Sequence, residues 1–258
     1  MPESRARDGW DAYLGWYHAD RPGITEDAFS HARDVDGGDP YDWLVSSLPA
    51  TVGRVLDLGC GTSPVQPRMT TATAYLGVDL SVDELRVGRA LGRGPTAVGD
   101  ARSLPATDAE FDCVVSSMSL MLVRPVADGL AEVARVLRPG GTFAVLLPSA
   151  GPIGVADLGV VLSLAVALRG PGSMPQRLTR RRLDRLAGEA GLELVSAEAR
   201  RFALPLETPI DAALAVSMLY TPGMDRRRLD RAQDRLGRRS APGRSLPVPL
   251  LRAVLRRR

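Results

Sequence analysis

The amino-acid sequence predicts an α/β fold, in which a mostly parallel β-sheet is covered by helices on both faces. From residue 52 onward, short apolar and β-branched runs alternate with amphipathic segments. Such alternation is typical of βαβ units, in which crossover helices join parallel strands. The predicted strands are RVLDLG, AYLGVDL, TAVGD, FDCVVSSM, GGTFAVLLP and, later in the chain, LELVSAEARRFAL.

Helical patterns fill the intervals between these runs. The clearest lies before the fifth strand, where apolar residues recur three or four positions apart, at Leu130, Val133, Ala134 and Leu137. Further helices are predicted over LTRRRLDRLAGEAG and TPIDAALAVSMLY. The segment SAPGRSLPVP is expected to be irregular because of its prolines and glycine.

The first 50 residues are predicted to be helical and to precede the sheet. Aromatic and apolar side chains recur at helical spacing at Trp10, Tyr13, Leu14 and Tyr17. Pro22-Gly23 interrupts this pattern, and a second helix is expected to begin near Thr25.

The composition is that of an ordinary globular protein of one large domain, or of one domain with an appendage. The chain has 258 residues, of which 45% are hydrophobic and 24% are charged. Its two cysteines, Cys60 and Cys113, do not make a disulfide framework, which favours a reducing compartment. The opening residues MPESRARDGWD lack the apolar run of a signal peptide, so we expect a cytoplasmic protein.

Positive charge is concentrated at the C-terminal end. Residues 225–258 contain 12 arginines and 3 aspartates, a balance of +9 in a chain whose total is +3. Such asymmetry is found in proteins that contact nucleic acids or membranes. Few aromatic residues lie among these arginines, so a solvated helix and tail is favoured over nucleic-acid binding.

The longest apolar stretch, residues 151–168, is short for a membrane span and contains Asp157. A buried or lid-forming helix is the preferred interpretation, and no transmembrane span is expected.

The stretch VLDLGCGTSP places an acid and two glycines where the first predicted strand ends. Glycine at positions 59 and 61 lets the backbone turn sharply and approach a ligand closely. Asp79 ends the second predicted strand, where a carboxylate can bind the hydroxyls of a ribose. Dinucleotide-binding oxidoreductases share these features, but their G-x-G-x-x-G motif requires glycine where this chain has Pro64.

A third acid, Asp100 in GDARSLP, follows the third predicted strand and could accept a hydrogen bond from an adenine amino group. With it, the run of motifs resembles the class I S-adenosylmethionine-dependent methyltransferases. VLDLGCGTSP resembles their first motif, GVDLS their second-strand acid and FDCVVSSMSLMLV their fourth strand. EVARVLRPGGTFAVLLP resembles the helix, turn and fifth strand that follow. The resemblance implies a Rossmann-like, seven-stranded, mostly parallel sheet with helices on both faces.

It also implies roles toward the methionine part of S-adenosylmethionine. Gly59, Cys60 and Gly61 would lie against this part of the cofactor. Asp57 would meet its ammonium group, and Ser116 would give backbone contacts near the sulfonium.

Toward the nucleoside, Asp79 would bind the ribose, with Leu80 against the adenine, and Asp100 and Ala101 would contact the adenine edge. S-adenosylhomocysteine would be the product. Nothing pairs with Cys60 or Cys113 at metal-ligand spacing, and no acidic cluster suggests a divalent cation, so no metal is expected.

The methyl acceptor is less well defined. His18 is a candidate general base, and Tyr13 and Tyr17 are candidate lid residues that touch cofactor or substrate. The apolar segments 153–168 and 217–220 suggest a small, fairly apolar acceptor, such as a specialised metabolite, although they could instead complete the core. The oligomeric state is left open.

The expected organisation is an N-terminal helical lid (1–50), a cofactor-binding core (51–205) with an apolar insertion at 151–175, and a helical C-terminal extension with an Arg-rich tail (206–258). Two alternatives stay open: an RNA or protein methyltransferase that uses the basic C-terminal segment, and a non-catalytic cofactor-binding module. Strong salt dependence of substrate binding would favour the RNA alternative.

Overall fold

The structure is a computed structural model that describes residues 2–168 and 176–258. The predicted fold is confirmed, because its described residues form a seven-stranded sheet with helices on both faces. The strands are β1 (Val52–Leu58), β2 (Ala72–Asp79), β3 (Thr96–Val98), β4 (Phe111–Ser117), β5 (Leu137–Pro148), β6 (Leu192–Pro205) and β7 (Ser245–Arg257). Their order is β3-β2-β1-β4-β5-β7-β6, with β7 antiparallel to both neighbours and the pairs from β3 to β5 parallel.

Helices cover both faces of this sheet. They are α1 (Pro2–Asp20), α2 (Ile24–His31), α3 (Pro40–Val45), α4 (Val82–Ala90), α5 (Val126–Val136), α6 (Leu158–Leu168), α7 (Arg180–Glu189), α8 (Pro209–Ser217) and α9 (Arg226–Gly237). One buried cluster contains residues of α2, α3, α6, α8 and α9, and a second contains residues of α1, α5 and α7. The adjacent β1 residues Val55 and Leu56 belong to different clusters, since successive strand residues point to opposite faces of a sheet.

The C-terminal region differs from its prediction as an extension that ends in a tail. Residues 245–257 form β7, which lies inside the sheet between β5 and β6. Pro247 and Pro249 obscured this strand, because proline is excluded from positions that must donate to a ladder. In the structure both prolines precede Leu250, the first β7 residue paired with β5, and pair only with β6. The boundary at residue 205 therefore cuts through the sheet.

The apolar insertion forms α6, which is neither fully buried nor part of the cavity described below. Val160, Leu164 and Ala167 pack against the first cluster, whereas Leu158 and Leu162 face solvent. The end of the predicted insertion and the adjoining loop, at 169–175, lie outside the described residues. Among the described helices, none is long and apolar enough to cross a membrane.

Candidate functional site

A cavity of about 520 Å³ opens where β1, β2 and β4 end. Ligands of parallel α/β proteins bind at the carboxyl ends of the strands, next to the point where the strand order reverses. Here the chain leaves β1 toward β2 on one side, while β4 lies on the other. Among the sequence-predicted residues, the lining includes Asp57, Gly59, Cys60, Gly61, Asp79, Leu80, Asp100, Ala101 and His18.

The glycine loop, residues 59–61, has a conformation that requires glycine. Gly59 and Gly61 have φ values of +63° and +54°, in the left-handed region. A Cβ built on Gly59 would lie 2.3 Å from the Cβ of Ser119. The Gly61 N–H donates a 2.8 Å hydrogen bond to Oδ2 of Asp79, which ties the loop to the end of β2.

Asp57 provides a buried carboxylate at the bottom of the cavity. It is 1% exposed, and Oδ2 accepts a 2.7 Å hydrogen bond from the hydroxyl of Tyr75. Burial raises the pKa of Asp57 to about 7; the Tyr75 hydrogen bond opposes this shift, and the charge of Asp79 adds to it. A cationic group bound in the cavity would favour the ionised form of Asp57, because it would offset the missing solvation.

Backbone hydrogen bonds hold the carboxylate of Asp79 in place. Its Oδ1 accepts a 2.8 Å hydrogen bond from the Ser81 N–H, and Oδ2 accepts the bond from Gly61. Burial raises the pKa of Asp79, and the two backbone hydrogen bonds act against that shift. Each oxygen retains further acceptor capacity, so the carboxylate can bind two hydroxyl groups. We call Asp57, Asp79 and the glycine loop the floor of the cavity.

The rim of the cavity has an exposed apolar residue beside a fixed acid. The Leu80 side chain is 69% exposed, next to the buried end of β2. Across the cavity, Arg102 donates from Nε to Oδ1 of Asp100 at 3.0 Å and from Nη2 to Oδ2 at 2.5 Å. These hydrogen bonds lower the pKa of Asp100 and orient its carboxylate. Ala101 lies between Asp100 and Arg102 and also lines the cavity.

Ser116 lies beneath the cavity and does not line it. Its buried Oγ is 2.6 Å from Oγ of Ser119, which donates to the Leu58 carbonyl. The next residue, Ser117, does line the cavity, and among the described residues its buried Oγ has no hydrogen-bond partner. Adjacent side chains of a strand point to opposite faces, which is why Ser117 lines the cavity and Ser116 does not.

Tyr13 and Tyr17 were expected to touch cofactor or substrate, but neither lines the cavity. The Tyr17 hydroxyl donates to the Ser217 carbonyl at 2.9 Å, and the Tyr13 hydroxyl accepts from the Thr221 N–H at 2.7 Å. Both side chains therefore join α1 to residues 217–221. We call α1 and residues 217–221 the roof.

The roof contributes other residues to the cavity. His18 Nδ1 lies 2.9 Å from Oε1 of Glu84, and Glu84 is buried. Oε2 of Glu84 accepts a 3.0 Å hydrogen bond from the Gly23 N–H. Tyr220 lies beside His18, with 6.2 Å between their ring centroids. Tyr220 lies in segment 217–220, which the sequence analysis connected with the acceptor. Sequence reasoning missed Glu84 as a site residue, because it is distant in sequence from His18.

The chemistry of these residues fits S-adenosylmethionine. A buried acid and a second, fixed carboxylate suit its ammonium group and its ribose, and exposed Leu80 suits a flat purine ring. The unpartnered Ser117 hydroxyl offers one further donor or acceptor inside the cavity. No group of three or more potential metal ligands occurs among the described residues.

The strand order and the flanking helices define a Rossmann-like α/β fold. A model of the methyltransferase domain family matches residues 56–145, the segment that contains the floor and β4. The fold is shared with an S-adenosylmethionine-dependent methyltransferase from Mesorhizobium loti, at a TM-score of 0.52 and 22% identity over 86% of this chain and 99% of that one. These findings support the resemblance of the chain to the class I S-adenosylmethionine-dependent methyltransferases.

Two curated relatives extend the similarity. The chain is 35% identical to 27-O-demethylrifamycin SV methyltransferase of Amycolatopsis mediterranei (strain S699) over 172 residues, 61% of this chain and 60% of the relative. It is 41% identical to demethylmenaquinone methyltransferase of Mycolicibacterium gilvum (strain PYR-GCK) over 93 residues, 36% of this chain and 40% of the relative. The chain thus spans less than two thirds of either relative.

Proposed function

We propose that this chain transfers a methyl group from S-adenosylmethionine to a small, fairly apolar acceptor and releases S-adenosylhomocysteine. The observation that carries the proposal is the floor, where the buried carboxylate of Asp57 and the partly buried carboxylate of Asp79 flank a glycine loop that admits no Cβ at Gly59. When bound, the cofactor supplies an electrophilic methyl group on a sulfonium. The chain's own residues have to hold it, exclude water and align the acceptor.

In this proposal the floor binds the two polar ends of the cofactor. Asp57 receives the ammonium group, with Gly59, Cys60 and Gly61 against the methionine chain. Asp79 binds the ribose, and the adenine lies between Leu80 and the Asp100–Ala101 edge. Ser116 contributes through Ser119, whose hydroxyl holds the β4 loop against the end of β1.

The roof is proposed to close the acceptor side. Leu14, Met118, Leu122 and Tyr220 give this side an apolar and aromatic character. The names of the relatives, a rifamycin methyltransferase and a demethylmenaquinone methyltransferase, agree with an acceptor of this type. We include in the proposal that residues 1–50 cover the core and that β7 belongs to the core rather than to the extension. A cytoplasmic location is also proposed, since both cysteines are free and buried.

His18 is proposed as the general base that accepts a proton from the acceptor. Glu84 fixes the orientation of the imidazole through the 2.9 Å contact to Nδ1, which leaves Nε2 as the nitrogen for proton transfer. Glu84 in turn is held by the Gly23 N–H. A hydroxyl acceptor needs such a base more than an amine does, because it must lose its proton as the new bond forms.

Mass spectrometry with methyl-labelled cofactor tests the proposal. The purified chain is incubated with a panel of small phenols, hydroquinones and macrolactam-type alcohols, and a labelled product is expected from at least one class. His18→Gln should lower kcat strongly and leave cofactor affinity unchanged, whereas a general loss of affinity would move His18 into the cofactor site. If the chain binds the cofactor but transfers label to no acceptor class, and to neither added RNA nor added protein, it is a non-catalytic cofactor-binding module.

A further inference from the structure

The outer surface of α6 exposes a row of aliphatic side chains. The exposed fractions are 87% for Val155, 58% for Leu158, 65% for Leu162 and 43% for Val166. These positions are three or four apart, so they form one stripe along the helix and the turn before it. We call these four residues the apolar stripe. The opposite side of α6 is already used, since Val160, Leu164 and Ala167 pack on the core.

The apolar stripe is held outward by a partly buried ion pair. Asp157, at the start of α6, accepts hydrogen bonds of 2.8 Å from Nε and 2.6 Å from Nη2 of Arg201 in β6. The same carboxylate accepts a 2.9 Å hydrogen bond from the Gly154 N–H. Rotation of α6 to bury the stripe would break this pair and leave the buried Asp157 carboxylate without its partner, which is unfavourable.

The neighbouring helix is strongly basic. α6 packs against α9, and both belong to the helical layer on the same face of the sheet. Residues 226–239 contain seven arginines and two aspartates. Four of these arginines, Arg227, Arg231, Arg235 and Arg238, are exposed at helical spacing, and within the described residues none forms an ion pair with a carboxylate. We call these four residues the arginine row.

We propose that the apolar stripe and the arginine row together bind the surface of an anionic lipid bilayer. Aliphatic side chains next to unpaired arginines suit the boundary between acyl chains and acidic headgroups. α6 has 11 residues, so it would lie in that boundary rather than cross the membrane. A second copy of the chain is disfavoured, because a two-fold contact through this face would bring two arginine rows together. RNA is disfavoured because the stripe is aliphatic and offers no ring for base stacking.

Vesicle co-sedimentation of the full chain, without cofactor, tests this surface independently of methyl transfer. The chain should bind vesicles of equal parts phosphatidylglycerol and phosphatidylcholine at least about tenfold more tightly than pure phosphatidylcholine vesicles. Leu162→Ser should weaken binding about tenfold, since a leucine leaves the apolar phase. Its matched control is Leu91→Ser, an exposed leucine at the end of α4 that belongs to neither the apolar stripe nor the arginine row, which should bind like the parent.

Charge is tested with a second matched pair. Arg227→Gln/Arg231→Gln should weaken binding roughly 30-fold, at about 1 kcal/mol for each arginine. Arg180→Gln/Arg181→Gln removes equal charge from α7 on the opposite face and should have little effect.

Three results would overturn the proposal. Equal losses from the two double variants would show that net charge alone acts. A concentration-dependent dimer in light scattering that Leu162→Ser abolishes would show that the stripe is an interface with a second copy of the chain. The chain could instead bind single-stranded RNA in a salt-sensitive way that needs Arg227 and Arg231 but not Leu162, and fail to bind vesicles. That result would show that the arginine row binds a nucleic acid.

Discussion

The floor and the roof enclose the same cavity but are held in different ways. In the floor, the N–H groups of Gly59 and Cys60 both donate to the Val78 carbonyl, at 2.8 and 3.1 Å, and backbone N–H groups orient Asp79. In the roof, side-chain hydroxyls of Tyr13 and Tyr17 bridge segments 200 or more residues apart. Backbone hydrogen bonds between the glycine loop and the end of β2 fix the floor before any ligand binds. The roof depends on a few side chains, so binding and turnover should be separable by mutation.

The largest expected effect is at Gly59. Gly59→Ala should lower the free energy of unfolding by about 3 kcal/mol, because the Cβ adds left-handed strain and overlaps Ser119. Gly92→Ala is the matched control: it has φ +75° and no atom within 4 Å of its Cβ, so only strain of about 1 kcal/mol is expected. Urea unfolding measures both. Equal losses in the two variants would mean that the contact with Ser119 relaxes.

The next largest effect is on cofactor affinity at Asp79. Asp79→Ala should weaken binding about 10- to 150-fold, which corresponds to roughly 1.5–3 kcal/mol for hydrogen bonds to a charged acceptor. Asp83→Ala is the control, since Asp83 also lines the cavity but its carboxylate pairs with Arg86. Calorimetry compares the two. Similar affinities for both variants would remove Asp79 from the ribose site.

A third test uses the raised pKa of Asp57. Ligand binding needs the carboxylate, so affinity should fall as pH drops below about 7, by up to about tenfold per pH unit. Tyr75→Phe removes a hydrogen bond that lowers this pKa, so the midpoint should move to higher pH. A cofactor affinity that is flat from pH 8 to about pH 5 would show that Asp57 does not meet the ammonium group.

The same shift predicts the stability of the free protein. Between the ordinary pKa of 3.8 and about 7, the folded state holds a proton on Asp57 that the unfolded state has lost. The contribution of Asp57 is therefore fully present below the unfolded pKa and is lost as pH rises toward 7. Asp57→Asn should be less sensitive to pH over this range. Denaturant unfolding at a series of pH values checks the sign.

The smallest effect is expected in the roof. Tyr17→Phe removes the hydrogen bond to Ser217 but keeps the ring, which packs 4.8 Å from that of Tyr220. If this hydrogen bond stabilises the closed roof by about 1 kcal/mol, its loss should lower kcat roughly fivefold and leave cofactor affinity unchanged. Steady-state kinetics measure kcat, and calorimetry measures the cofactor affinity. Weaker cofactor binding at normal kcat would contradict the division between floor and roof.

The sequence predicted the floor better than the roof for a physical reason. Asp57 and Asp79 end neighbouring parallel strands, and parallel strand ends meet at one edge whatever the rest of the chain does. Helical spacing revealed the aromatic face of α1, but not that Tyr13 and Tyr17 would contact residues 217–221. The pairing of His18 with Glu84 likewise depends on how α1 is placed over α4. Such long-range contacts leave no local pattern.

The fold also has parts that the sequence predicts and a part that it does not. Six strands were predictable from apolar runs, whereas β7 was hidden by Pro247 and Pro249. Both are tolerated because β5 ends at Pro148, opposite Leu250, so the first part of β7 pairs on one side only. The tolerance for proline is therefore set by the length of a neighbouring strand, which cannot be inferred from β7 itself.

The position of β7 also governs when the protein can fold during synthesis. β6 is made before β7, yet among the described strands it pairs with β7 alone. Until residue 257 has left the ribosome, β6 lacks β7 as its partner strand and the buried apolar residues of β5 remain on an open edge. Open edges and unburied apolar strands favour association with other chains. The nascent protein therefore passes through a period of aggregation risk that lasts until β7 enters the sheet between β5 and β6.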